Sequence, residues 1–571
     1  MLVGLDADQR AAVEVEEGPL LIVAGPGTGK TRTLTHRIAY RVARGTAPES
    51  CLAITFTRRA AEEMGERLAQ LLPAAGGRVT VTTFHALGLD ILRREHAELG
   101  LDRAFRVADE AAQRSVLAAC LGISGSEVER RLKALSAARR RRDLGELAGE
   151  LEAYRQALWA RELVDFDDLL ALPVALLESR PDLRRAYRRR FRFVSIDEYQ
   201  DVDALQYRLV RLLVPADGDV SAIGDPDQSI YRFRGADVGF FLRFRRDFPA
   251  ARVVELGRNY RSQQTILRAA CQAIAPASLV PERRLEAVVE AGEPVVVHAA
   301  ADARGEAEYV VRTIEELVGG TSYYAVDSGR VRHELAARET ALSFADFAVL
   351  YRTRAQAAAF ADALERAGLP YQARSHDPLL GRDEVRLLVQ GMNARAEGAA
   401  RRESVRRLLD DARRDCAGAV EAERLEAAVE LLAPLAEAHG DDLDAFCHRL
   451  ALGAEVDAWD PRAERVSLLT LHAAKGLEFP VVFLAGCDDG LLPLTWAGDD
   501  LDPAEERRLF FVGMTRARQR LYLTRARRRR WRGEARETRP SPFLAAIDKS
   551  LLHHRRAAPR RRPAARQLRL L

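Results

Sequence analysis

The chain has 571 residues, is 47% hydrophobic and 30% charged, and carries a formal net charge of +4. That length exceeds what one hydrophobic core serves, so several domains are expected, and so small a net charge does not by itself announce a polyanionic partner. No apolar run is long enough to span a bilayer, and "MLVGLDADQRAAVEVEEG" lacks the regions of a signal peptide. A cytoplasmic location with no membrane partner is therefore expected.

In chain order, "PLLIVA" (19–24) is an apolar run bounded by Pro and Gly, which predicts a buried parallel strand. It leads into "AGPGTGKT", residues Ala24, Gly25, Pro26, Gly27, Thr28, Gly29, Lys30 and Thr31, and then into a helix from about Lys30 to Arg44. A glycine-rich turn between a strand and a helix N-terminus lets backbone N–H groups face phosphates. Lys30 would reach the β- and γ-phosphates and Thr31 would ligate Mg²⁺. Ala24 stands where the strict form of this loop has Gly. "SCLAITF" (50–56) and "RVTVTTFH" (78–85) are further strand candidates, the first followed by a helical pattern. Strands alternating with helices predict a doubly wound α/β domain.

From about 88 to 185, Leu, Ala, Arg and Glu recur at helical spacing, which predicts a helical insertion. Strand signals return at "FRFVSID" and "DVSAIGD". "FVSIDEYQD" (193–201) ends a hydrophobic strand in two carboxylates, with Asp197 suited to a metal ion and Glu198 to deprotonating an attacking water. "AIGDPDQSIYRFRGAD" (222–237) then places Gln228 a few residues before Tyr231, Phe233 and Arg234, so polar groups suited to a phosphate adjoin groups suited to stacking on bases. Asp225 and Asp227 read first as turn residues. A second α/β run starts near 252, with strand candidates "RVVEL", "PVVVHAA", "FAVLYR", "VSLLTLH", "VVFLAG" and "RLYLT", interrupted by a helical stretch between about 376 and 460. It has no phosphate loop of its own, which suggests two related domains sharing one nucleotide site. Cys51, Cys120, Cys271, Cys416, Cys447 and Cys487 show no metal-binding spacing and read as core thiols, so no structural metal is expected. The basic blocks "ARRRRDL", "RRAYRRRFRF" and "RARRRRWRG" read as solvated helix faces or as a nucleic-acid footprint. The tail "RRAAPRRRPAARQ" reads as disordered.

These segments, together with "LDADQRAAV" (5–13), "AITFTRRAAEEM", "TVTTFHALG", "LGRNYRS" (256–262), "VSLLTLHAAKGLEFPVVFLAG" (466–486) and "EERRLFFVGMTRARQRLYL" (505–523), resemble in content and order the superfamily 1A DNA helicases of the UvrD/Rep/PcrA type. The resemblance spans nearly the whole chain. It implies two RecA-like doubly wound domains of the P-loop NTPase kind, each interrupted by a helical insertion. The divisions it suggests are 1–87 with 186–258, an insertion at 88–185, 259–375 with 461–548, a second insertion at 376–460, and a tail at 549–571. It also implies ATP with Mg²⁺ in the cleft between the RecA-like domains. By resemblance, Gln9 reads the adenine edge, Arg32 and Tyr260 flank the base, Glu478 holds the ribose beside Gly476, Gln228 senses the γ-phosphate, and Arg261 and Arg516 reach it from the second domain. Phe56, His85, Tyr231, Phe233 and Arg234 would line a single-strand track, and His472 would lie between DNA and ATP.

The implied activity is ATP-driven 3′ to 5′ translocation on single-stranded DNA with duplex unwinding, in DNA repair or replication restart, at the nucleoid. Single strands and single-strand/duplex junctions would be the DNA partners, with protein activators. Three departures bear on unwinding. The second insertion is short, "HDPLLGRDEVR" replaces a Gly-rich turn, and no "RGIG"-like hairpin segment is found. They favour an alternative in which the chain clears proteins from single strands and unwinds poorly without a partner. A DNA-binding scaffold without activity is disfavoured, because Lys30, Thr31, Asp197, Glu198, Gln228, Arg261 and Arg516 are all present. No nuclease-like carboxylate and lysine set follows the last motif, so a RecB or AddA type nuclease subunit is not expected. "GGTSYYAVDSG" (319–329) reads as an additional loop.

Overall fold

The computed structural model describes residues 1–280, 282–289, 292–319, 342–374, 379–398, 403–452, 463–495, 502–531 and 534–555. Beyond Gly319, the loop expected at 319–329 lies outside them, as do residues 556–571 of the tail. The chain forms two compact units, one of Met1–Tyr260, Leu279–Glu286 and Arg374–Asp460, the other of Arg261–Ser278, Ala287–Ala373 and Pro461–Leu571.

In the first unit the strands are β1 (Leu20–Ala24), β2 (Cys51–Thr55), β3 (Thr80–Thr83), the short β4 (Arg106–Val107) and β5 (Leu163–Val164), β6 (Phe193–Ile196), β7 (Asp219–Gly224) and β8 (Arg252–Leu256). Six of them make one parallel sheet in the order β3-β2-β6-β7-β1-β8. Successive residues of β2 point into two different cores. Leu52 and Ile54 pack with Phe84, Ile196 and Phe244, while Cys51 and Ala53 pack with Ile22, Leu34 and Met64. Both faces are covered, which is why these strands read as unbroken apolar runs instead of alternating ones. "RVVEL" does not open the second α/β run, as its pattern suggests; it is β8, the edge strand paired with β1, within the expected division 186–258.

Helix α1 (Ala7–Val13) is capped by Asp6 and followed along the chain by α2 (Lys30–Ala43), α3 (Arg58–Leu71) and α4 (Phe84–Arg94). Arg37 of α2 is 1% exposed and donates to the carbonyls of Ala12 (3.0 Å) and Val15 (2.5 Å) and to Ser221 Oγ (2.8 Å). A cation on the C-terminal carbonyls of α1 fixes that helix beside the phosphate loop. Helices dominate the stretch from 84 to 190, as expected, and four helices between Asp383 and Leu452 share a separate core around Leu388, Leu408, Leu432 and Phe446. The basic blocks are not all solvated: Arg139 is 5% exposed and ion-paired with Asp165 (2.7 Å), Asp167 (3.3 Å) and Asp168 (3.1 Å).

The chain continues through the short strands β9 (Arg258–Asn259) and β10 (Glu286–Ala287). The second unit is built on β11 (Val295–Asp302), β12 (Phe347–Tyr351), β13 (Tyr371–Arg374), β14 (Val466–Thr470), β15 (Phe479–Leu484), β16 (Ala517–Trp531), β17 (Glu534–Glu537) and β18 (Leu552–Arg555). The sheet order is β13-β14-β12-β15-β16-β11-β18, with β17 antiparallel to β16. Two expectations change here. "RARRRRW" is the outer half of the long strand β16, not a helix face, and residues 549–555 belong to the fold because β18 pairs in parallel with β11.

Candidate active site

Strand β1 delivers the phosphate loop at its carboxyl end, where α2 begins, the usual ligand position in an open parallel sheet. Gly29 is the N-cap of α2 with φ of 81°, a left-handed conformation, and a Cβ there would lie 2.7 Å from Gln9 Nε2. A Cβ on Gly25 would lie 2.7 Å from Leu285 Cδ2 and 3.1 Å from Arg283 Nη1. Thr28 Oγ1 donates to Gly25 O at 2.9 Å, closing the loop on itself. The segment after β8 braces it: Asn259 Nδ2 donates to Pro26 O (2.6 Å) and the Tyr260 N–H to Gly27 O (2.8 Å). Ala24 is fully buried at the end of β1.

Lys30 is the first residue of α2, and its Nζ lies 3.9 Å from Glu198 Oε1. Thr31 Oγ1 donates to Asp197 Oδ2 at 3.1 Å, and Asp197 Oδ1 accepts the Glu198 N–H at 2.9 Å. Burial, then the neighbouring Glu198 charge, pushes the Asp197 carboxyl up to about 6, against the pull of Lys30. Glu198 has φ of 50° and ψ of 40°, a left-handed conformation that a non-glycine residue adopts at a cost. The turn thereby aims both carboxylates from one strand end. All the donors at Thr31 and Asp197 are hard oxygens, the set that Mg²⁺ takes.

Gln9 is 1% exposed, and its side chain is engaged locally: Oε1 accepts the Asp6 N–H (3.3 Å) and Nε2 donates to Thr28 O (2.9 Å). Arg32 is exposed, and Tyr260, 42% exposed, donates its hydroxyl to Asp6 Oδ2 at 2.5 Å. Gln228 is buried and donates to Asp225 Oδ2 at 2.7 Å. The first unit thus brings together Gln9, the phosphate loop, Arg32, Asp197, Glu198, Gln228 and Tyr260. Asp225 does cap a turn, accepting the Asp227 N–H at 3.1 Å, but both carboxylates are fully buried and ion-paired with Arg283.

The second unit brings together Arg261, Glu478 and Arg516, with Gly476 two residues before Glu478. Arg261 Nε donates to Glu478 Oε2 at 2.6 Å and Nη1 to Thr515 O at 3.3 Å. Burial alone would raise the Glu478 carboxyl, but the Arg261 guanidinium, then Arg518 and Arg516, holds it below the usual range. Arg516 is 1% exposed and donates to Val512 O (2.9 Å), Leu477 O (3.2 Å) and Thr515 Oγ1 (3.2 Å). His472 is half-buried in the turn after β14.

Of the aromatics, Phe233 is the most exposed at 66%, with its ring 6.2 Å from that of Tyr231. The Arg234 guanidinium lies 5.7 Å from the Phe233 ring and 5.8 Å from the Tyr231 ring. Phe56 follows β2 and meets Phe84 edge-on at 5.7 Å, partly buried in the core. His85 is in the first turn of α4, not at a strand end, and stacks on Phe166 at 4.0 Å. Burial pushes its imidazole down to about 4, so it is neutral at pH 7.

The profile of the UvrD/REP helicase N-terminal domain matches residues 5–249, and that of the UvrD-like helicase C-terminal domain matches 254–431 and 403–528. The chain belongs to the UvrD/REP helicase family. It is 31% identical to the ATP-dependent DNA helicase PcrA of Bacillus subtilis (strain 168) over 687 aligned positions, covering 99% of this chain and 90% of that protein. It is 34% identical to the ATP-dependent DNA helicase UvrD1 of Mycobacterium tuberculosis (strain ATCC 25618 / H37Rv) over 689, covering 98% and 87%. Both alignments are longer than the 571-residue chain, so these UvrD/REP relatives carry segments that this member lacks.

Three residues around the site escaped the sequence reading. Gln200 donates to Glu198 Oε2 (2.5 Å) and accepts the Asp225 N–H (3.0 Å). It and Asn259 lie inside quoted motifs, "VSIDEYQD" and "LGRNYRS", so their position was a signal. Arg283, in "PERRLE", follows no motif.

Proposed function

We propose that this UvrD/REP family member is an ATP-dependent DNA helicase that moves along single-stranded DNA, 3′ to 5′, and opens duplex at single-strand/duplex junctions. The observation that carries the reading is the set at the ends of β1 and β6: the phosphate loop, Lys30 3.9 Å from Glu198, and Thr31 3.1 Å from Asp197. In this reading the loop N–H groups and Lys30 hold the phosphates, and Glu198 takes the proton of the attacking water. Gln228 senses the γ-phosphate, and the second unit contributes Arg261 and Arg516 to the developing charge. Thr31 and Asp197 would hold Mg²⁺, which when bound neutralises charge on the β- and γ-phosphates. Gln9, Arg32 and Tyr260 take the base, and Glu478 beside Gly476 takes the ribose. Tyr231, Phe233 and Arg234, with Phe56, His85 and His472, form the strand track, where ring faces accept any base. The four-part division at 1–87 with 186–258, 88–185, 259–375 with 461–548, and 376–460 supplies the bodies that move. The setting is repair or replication restart at the nucleoid in the cytoplasm, with protein activators.

A second reading has its own support. The relatives' extra aligned segments and the short helical block favour a translocase that strips proteins from single strands and unwinds weakly alone. A strand-displacement assay with purified protein on 3′- and 5′-tailed duplexes decides between them. Opening of the 3′-tailed duplex supports the first reading. Single-strand-stimulated ATP hydrolysis without opening supports the second, and opening of only the 5′-tailed duplex refutes the polarity. Lys30→Ala should abolish the stimulated hydrolysis, and a wild type that DNA does not stimulate would exclude both readings.

A further inference from the structure

Asp225 and Asp227 are each 0% exposed, and one guanidinium serves both. Arg283 Nη2 pairs with Asp225 Oδ1, Nη1 donates to Asp225 Oδ2 at 3.1 Å, and Nε lies 3.0 Å from Asp227 Oδ2. Asp225 Oδ2 is also the acceptor for Gln228 Nε2 at 2.7 Å, so Gln228 and Arg283 share one carboxylate oxygen. The other side of Asp225 leads to the proposed base: its N–H donates to Gln200 Oε1, and Gln200 Nε2 donates to Glu198 Oε2. The same guanidinium lies beside the phosphate loop, where a Cβ on Gly25 would come within 3.1 Å of Nη1.

Arg283 reaches this place on a segment held at both ends. The Leu279 N–H donates to Asp227 Oδ1 at 2.6 Å and the Glu286 N–H to Gly257 O at 2.9 Å. Leu279–Glu286 belongs to the first unit, whereas the residues before and after it, Arg261–Ser278 and Ala287 onward, belong to the second.

We propose that Arg283 is a positioning residue for ATP hydrolysis. Its fork sets the Asp225 carboxylate that holds Gln228, and so ties the γ-phosphate sensor to a segment whose two ends continue into the second unit. The chemistry favours arginine over any other cation. A guanidinium can serve two carboxylates at once in a fixed plane, whereas an ammonium is a point charge that leaves the rotation of Asp225 unset. The inference rests on the ATPase reading above.

The test uses the full chain with Arg283→Lys, read by thermal unfolding, single-strand-stimulated kcat, and KM for ATP. The expected result is a folded protein whose stimulated kcat falls about 10- to 100-fold with KM for ATP little changed, because a small misplacement of a positioned group costs rate before binding. If Arg283 acts through Gln228, adding Arg283→Lys to Gln228→Ala lowers kcat by no more than about twofold beyond Gln228→Ala alone. Losses that multiply in the double variant, or an Arg283→Lys protein with wild-type kcat, overturn the proposal. Should Arg283→Lys fail to fold, the charge-reduced pair Arg283→Gln with Asp227→Asn replaces it. That protein is expected to show the same fall in kcat, and a folded form at wild-type kcat is equally fatal. A wild type without stimulated hydrolysis would instead defeat the ATPase reading, so the two failures are distinguishable.

Discussion

Gln228 and the Tyr231–Phe233 pair sit within six residues of one another, yet their surroundings are opposite. The glutamine is 2% exposed in a polar network, and Phe233 is 66% exposed. A residue fixed by buried hydrogen bonds suits a reporter of phosphate state, and an exposed ring suits a surface for bases. Gln228→Ala should therefore slow single-strand-stimulated hydrolysis while leaving DNA affinity close to wild type. Tyr231→Ala with Phe233→Ala should weaken single-strand binding about 10- to 100-fold and leave basal hydrolysis nearly intact. Fluorescence anisotropy with a labelled oligonucleotide, run beside a steady-state ATPase assay, separates the two. Equal proportional losses in both variants would refute the division of roles. At this scale the sequence was most informative where chemistry is local. Lys30 and Thr31 announce themselves by opening a helix after a glycine-rich turn, and Asp197 and Glu198 by following directly on a strand. The pairing of Asp225 with Arg283 spans 58 positions and follows no periodicity, so only the folded chain reveals it.

Elements were legible in proportion to their burial. The runs "PLLIVA", "SCLAITF" and "FRFVSID" became β1, β2 and β6, because a strand covered on both faces must be apolar throughout. Pattern alone puts "RVVEL" at the head of the second run while the resemblance puts it within 186–258, and its pairing with β1 agrees with the latter, because a strand's own residues do not say which neighbour it pairs with. "TFH" was read as strand because Thr83 is both the last strand residue and the cap of α4, accepting the Ala86 N–H at 3.3 Å. Capping also yields a prediction. Asp203 caps Ala204–Leu213 by accepting the Gln206 N–H at 2.8 Å, yet burial pushes its carboxyl up to about 6. A carboxyl whose folded value lies above its unfolded one binds more protons when folded, so stability falls as pH rises between about 4 and 6 and then levels off. Asn caps as well as Asp and carries no charge. Asp203→Asn should thus stabilise the protein by about 1–3 kcal/mol at pH 8 and by nearly nothing below about pH 4. Chemical denaturation at the two pH values checks it, and an equal effect at both would show that the buried charge is not the cause.

For the whole molecule, the division of residues between the two units makes a separate demand. The phosphate loop, Asp197 and Glu198 belong to one unit, while Arg261 and Arg516 belong to the other. If the arginines act on the γ-phosphate, Arg261→Ala and Arg516→Lys should each lower single-turnover hydrolysis by about 10³- to 10⁵-fold, with nucleotide affinity reduced far less. Fluorescent-nucleotide titration beside single-turnover kinetics measures both. Losses below about tenfold in both variants would remove the pair from that role.

The placement of Arg283 also bears on how the protein is made. The six strands of the first sheet are all synthesised once Leu256 has been added, and Asp225 and Asp227 precede it. Their guanidinium is translated 56 positions after Asp227, which at ordinary elongation rates is a delay of roughly 3 to 11 s. A nascent chain can therefore assemble the sheet while two carboxylates destined for burial still await their counter-charge. The Asp225–Gln228 turn acquires its ion pairs only when the later segment arrives. The phosphate loop is among the first parts of the chain to leave the ribosome, but the ion pairs beside it wait until about half of the 571 residues have been added.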